Sequence, residues 1–99
     1  MNFMVEEYQL EKEARKRRIA EYEKLVHEYA LEHSRKVMKE LVQERHQQNL
    51  TQKEIANRTG ISAPNIARLE GGSGVPTLVV LQKYAAALGK RIEITVCDE

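Results

Sequence analysis

Ninety-nine residues, 41% hydrophobic and 31% charged, hold one small core and exclude a second domain of ordinary size. A formal net charge of +1 gives none of the basic excess of a chain that coats nucleic acid, so any such contact must come from charge distribution. A single cysteine excludes an intrachain disulfide, and no apolar run approaches the roughly 20 residues that span a bilayer.

At the N-terminus, Phe3-Met4-Val5 runs straight into Glu6-Glu7 and is too short for a signal peptide, which with the lone cysteine places the chain in the cytoplasm. Residues 1–33 read as a helical extension. Neither Gly nor Pro occurs before Gly60, and Glu11 and Glu13 stand four residues ahead of Arg15 and Arg17, the favourable order for such pairs. Ile19, Tyr22, Val26, Tyr29 and His33 follow one stripe at steps of three and four, with Leu25 beside it. The stripe needs a cover: the chain's own domain, a second copy or another protein. Tyr22, Val26 and Tyr29 are its candidate partner-binding residues. Arg15-Lys16-Arg17-Arg18 can touch phosphates, but the surrounding glutamates make it a solvated face.

Residues 34–89 read as a helical domain. Over 34–50, Val37, Met38, Leu41 and Val42 supply a buried face, and Asn49 can take the left-handed conformation that ends the helix. Thr51 with Glu54 three residues on is a capping box for a second helix. Gly60 stops that helix, Ile61 tucks into the corner, and Ser62 caps a third helix with Pro64 in its first turn. Ile66 and Leu69 then face inward, leaving Ala63, Pro64, Asn65, Ala67 and Arg68 outside. An outer face that is small and polar, with one arginine, can enter a major groove. The same corner chemistry also serves a plain helix pair.

The spacing of T-Q-x-x-I-A at Thr51–Ala56, G-I-S at Gly60–Ser62 and I-A-x-L-E at Ile66–Glu70 resembles the Cro/CI-type (XRE-like) DNA-binding family. That resemblance implies a mainly α, lambda-repressor-like helix-turn-helix bundle binding double-stranded DNA. It gives Gln52, Lys53 and Ser62 to the DNA interface, with base choice from Ala63, Pro64, Asn65, Ala67 and Arg68. It also implies that Arg45 pairs with Glu70 at the end of the recognition helix.

Beyond the third helix, residues 71–76 form a glycine-rich loop and Thr77 caps a last helix. Leu78, Leu81, Tyr84, Ala85 and Leu88 are expected on its inner face, and Gly89 ends it. In similar domains this loop follows the sugar-phosphate backbone, where Ser73 and Thr77 can donate. Residues 90–99 form a tail. Alternation over Lys90–Cys97 predicts a β-strand with Ile92, Ile94 and Val96 on one face. A lone strand cannot stand by itself, so these three are the candidate dimerisation residues, pairing with a second copy.

No metal, cofactor or enzyme pattern emerges. His27 and His33 are six apart, which is not ligand spacing on a helix, and Cys97 has no basic neighbour to activate it. Residues ~35–97 resemble HigA-type antitoxins, and the strand also looks like that of HipB-type antitoxins. The resemblance implies a homodimeric repressor of its own operator whose N-terminal extension neutralises a small ribonuclease toxin. The alternative is a free-standing XRE-like regulator without a toxin.

Overall fold

The computed structural model describes residues 3–98. Met1, Asn2 and Glu99, which the sequence assigns to the extension and the tail, lie outside the described residues. Four helices follow in order: α1 (Phe3–Gln47), α2 (Gln52–Thr59), α3 (Ala63–Gly71) and α4 (Leu78–Ala87). The chain divides into two compact units, Met1–Ala30 and Leu31–Glu99.

In the first unit, α1 is held by local terms. From Met4 to Tyr29 every side chain except Ala14 is exposed, Tyr22 at 69%. Glu, Lys, Arg, Leu and Ala dominate and lose little rotamer freedom in a helix. No helix among the described residues is long and apolar enough to cross a membrane.

The second unit builds its core from all four helices. Met38 and Leu41 of α1 meet Ile55 of α2, Ile66 of α3, and Tyr84, Ala85 and Leu88 at the end of the chain's last helical turn. Ile55, Ile66 and Tyr84 are fully covered, and burying an aliphatic or aromatic side chain of that size stabilises by roughly 1.5–3 kcal/mol. The helix ends follow the sequence signals. Asn49 takes φ 57° and closes α1. The Thr51 hydroxyl accepts from Glu54 N at 3.1 Å, while the Glu54 carboxylate accepts from Thr51 N at 3.2 Å. Gly60 at φ 77° ends α2, and its N–H reaches the Ala56 carbonyl. Ser62 and Thr77 accept from the Asn65 and Val80 amides. Each such N-cap is worth about 1 kcal/mol. One inner-face assignment is corrected: Leu78, in the first turn of α4, is 49% exposed, because the buried face begins only at Leu81.

The tail is the larger correction. Among the described residues there is no strand, and residues 90–98 are irregular. Alternation fixes which side chains share a face; it does not create a ladder, and one chain with one such segment has no second strand to pair it. The side-chain amide of Gln82 on α4 stands in for that strand. Its Nε2 donates to the Ile92 carbonyl at 2.8 Å, and its Oε1 accepts from the Ile92 N–H at 3.1 Å. Ile92 is thereby held against the core. Ile94 and Val96, expected beside it on an inner face, are 64% and 98% exposed.

Candidate nucleic-acid interface

The geometry is set by one carboxylate. Glu70, near the C-terminus of α3, draws a side chain from each of the other three helices. Arg45 of α1 donates through Nε to Oε2 and through Nη2 to Oε1, both at 3.0 Å. Gln52 of α2 donates to Oε1 at 3.0 Å, and the Tyr84 hydroxyl of α4 donates to Oε2 at 2.7 Å. Each oxygen accepts two bonds, which fills the lone-pair sites of a carboxylate. Arg45 also donates to the Leu50 carbonyl at 2.8 Å, fastening the corner between α1 and α2. Both charged side chains are more than nine-tenths buried.

Such a network is stable only when every member is satisfied. No buried side-chain nitrogen or oxygen among the described residues lacks a partner. Burial alone would push the Glu70 carboxyl up, but the bonds from Gln52, Tyr84 and Arg45 and the charge of Arg45 outweigh it. The group is therefore held below the usual carboxylate range. Burial likewise works against the Arg45 charge, and Glu70 more than offsets it. Burial first, then the Glu70 contact, pushes the Tyr84 hydroxyl above its ordinary value. The consequence is mechanical: the end of α3 is fixed against α1, α2 and α4 at once.

With α3 fixed, Ala63, Pro64, Asn65, Ala67 and Arg68 are all exposed on its outer side. Arg68 Nη1 donates to Asn65 Oδ1 at 2.9 Å, one helical turn back, which sets the guanidinium direction. Ser62 accepts from the Asn65 amide and keeps its O–H free to donate outward. Asn65, Arg68, Ser62 and Ser73 share an open groove of about 660 Å³ with apolar lining from Ile61, Leu69, Val75, Pro76 and Val80. Thr77 and Lys53 are exposed at the starts of α4 and α2.

Not every site residue stands where the sequence suggests. Gln52 is only half-buried, but its amide is engaged with Glu70, so it serves the fixing of α3 and has one remaining N–H for anything outside. Tyr84 escaped notice as a polar residue because it sits in an apolar face. Its signal is that a buried tyrosine hydroxyl needs a partner. Gln82 and its hold on Ile92 carried no sequence signal. No cluster of three or more His, Cys, Asp or Glu side chains is gathered among the described residues.

Comparison with known proteins identifies the family of the domain. The helix-turn-helix family model matches residues 39–94. A Haemophilus influenzae protein named as an HTH-type transcriptional regulator is 40% identical over 58 residues, covering 59% of this chain and 59% of its own. The chain thus spans somewhat over half the length of that relative. A second protein so named, from Methanothermobacter thermautotrophicus, is 37% identical over 65 residues, 63% of this chain and 94% of the relative. No solved structure gives a significant match.

Proposed function

Because the chain belongs to the helix-turn-helix family, we propose that it is a sequence-specific double-stranded DNA-binding transcriptional regulator that places α3 in the major groove. One observation carries this reading: Glu70 locks α3 against three helices while the opposite side of α3, from Ala63 to Arg68, is exposed and small enough to approach base edges. Arg68 and Asn65 select bases. Ser62, Lys53, Ser73 and Thr77, with the second N–H of Gln52, contact the phosphate backbone.

The regulator works as a homodimer through its tail. Ile94 and Val96 are exposed, and the same segment of a second copy, packed across a two-fold axis, is the cover proposed for them. Two recognition helices about 34 Å apart then read a palindrome. The finer reading is an antitoxin repressing its own operon. It is supported by the HigA-type resemblance and by Tyr22, Val26 and Tyr29, whose exposed aromatic area is of the kind enriched at interfaces; a small ribonuclease toxin is the partner. The names of the relatives favour the rival, a free-standing regulator. A toxin-encoding frame beside the gene separates the two.

Selection from a random duplex pool tests the whole reading. Enrichment of a palindrome with half-sites one helical turn apart, bound with strong salt dependence, is the expected result. A pool with no enriched sequence overturns it.

A further inference from the structure

Three arginines of the second unit are oriented by a neutral oxygen. Arg35 donates to the Gly72 carbonyl, Arg58 to the Ala87 carbonyl and Arg68 to Asn65 Oδ1. Arg45 and Arg91, by contrast, meet Glu70 and Glu93. A guanidinium held by a neutral acceptor has a set direction and its whole charge left for an outside anion. Arg58 lines a different cleft, with Thr59, Lys83 and Gly89. Arg35 does not. Its acceptor, Gly72, immediately precedes Ser73 and Gly74, which share the groove of Asn65 and Arg68.

The seat for Arg35 is shaped for it. Gly72 caps α3 at φ +69°, and a Cβ there would lie 3.1 Å from Arg35 Cγ and 3.3 Å from its Nε. The stem of Arg35 therefore lies across a backbone stripped of side chain. The Nε–H reaches the Gly72 carbonyl at 2.9 Å, and the four N–H groups on Nη1 and Nη2 have no partner among the described residues.

We propose that Arg35 is a phosphate-binding residue, reaching the DNA backbone from α1 beside the 72–77 loop. This rests on α3 being the recognition helix. Arg35 and Arg68 then flank the loop, one set on the backbone and the other on the bases. The fork of two remaining nitrogens suits a phosphate's paired oxygens.

Arg35→Gln separates this role from a purely structural cap, because the glutamine amide nitrogen falls where Nε stands and can still donate to Gly72. Binding is measured by fluorescence anisotropy on a selected duplex and on a random duplex, from 50 to 200 mM salt, with thermal melting alongside. Each protomer of the dimer loses one phosphate contact, so the slope of log affinity against log salt falls by about 1.8 and the deficit of the variant shrinks about twelvefold across that range, equally on both duplexes. Arg35→Lys, which keeps the charge, is expected to restore the slope. A wild-type slope in Arg35→Gln overturns the inference and leaves the reading of α3 standing. If the wild type binds no duplex, that reading fails and takes this one with it.

Discussion

Residues 3–30 and residues 31–98 keep their helices by opposite means. In the first unit a single long helix has almost no covered side chain, and local propensity carries it. In the second, α2, α3 and α4 have 8, 9 and 10 residues, too few to persist alone, since isolated helices below about 12–15 residues are marginal in water. They exist because Ile55, Ile66 and Tyr84 are buried and because Glu70 joins all four helices. The difference separates two tasks. The short helix α3 is locked from behind by Glu70, and the long helix of the first unit leaves Ile19, Tyr22 and Val26 exposed.

The largest test of that comparison is Glu70→Ala. It leaves Arg45 buried without its partner and the Tyr84 hydroxyl without an acceptor, a loss of about 3–5 kcal/mol, read by urea unfolding. Tyr22→Ser in the first unit is expected to move the same transition by no more than about 0.5 kcal/mol. Equal costs would erase the contrast. Glu70 also gives the second unit a pH signature. Its folded-state pKa is depressed, so its stabilisation is present above the unfolded carboxylate range and is lost as pH falls through the folded value. Glu70→Gln should flatten stability against pH on that acid limb.

How much of this was legible depended on range. The Thr51 capping box, the left-handed Asn49 and the Gly60 stop were readable because each lies within four residues of its partner. The approach of Arg45 to Glu70, 25 residues apart, was suggested only by resemblance. The additions of Gln52 and Tyr84 needed three helices in place, which no local pattern encodes. Over 90–97 the alternation misled for the same reason. It reports a shared face, whereas a strand needs a neighbour, and within one chain the neighbour is a glutamine side chain.

A smaller effect is expected at the presented face itself. Arg68→Ala should cost about 1–3 kcal/mol on a selected operator and relax preference at one base position, with no change in unfolding, because Arg68 is exposed and bonds only to Asn65. Equal losses on operator and random DNA would make Arg68 a phosphate contact and leave base choice to Asn65 and its neighbours. Truncation after Glu93, which keeps Ile92 on the core, tests the tail separately: Ile94 and Val96 bury little within one chain, so the domain should stay folded and sediment as a monomer. A truncated dimer would place the interface elsewhere.

The smallest expected change comes from the largest deletion. Removing residues 1–30 takes away nearly a third of the chain, yet the buried core residues Met38, Leu41, Ile55, Ile66, Tyr84, Ala85 and Leu88 all follow residue 30. The Glu70 network and every cap of α2, α3 and α4 also lie beyond it. Unfolding of the remaining domain should therefore shift by less than about 0.5 kcal/mol, the range of surface changes, and operator affinity should hold. What should vanish is capture of a protein partner, since Tyr22, Val26 and Tyr29 leave with the deletion. Where a toxin-encoding frame lies beside the gene, its product is purified and mixed with each form. Binding by the full chain and not by the shortened one, with melting unchanged, assigns the stripe to that partner. Unfolding of the shortened protein would instead show that the long helix supports the domain, and the contrast between the two units would collapse.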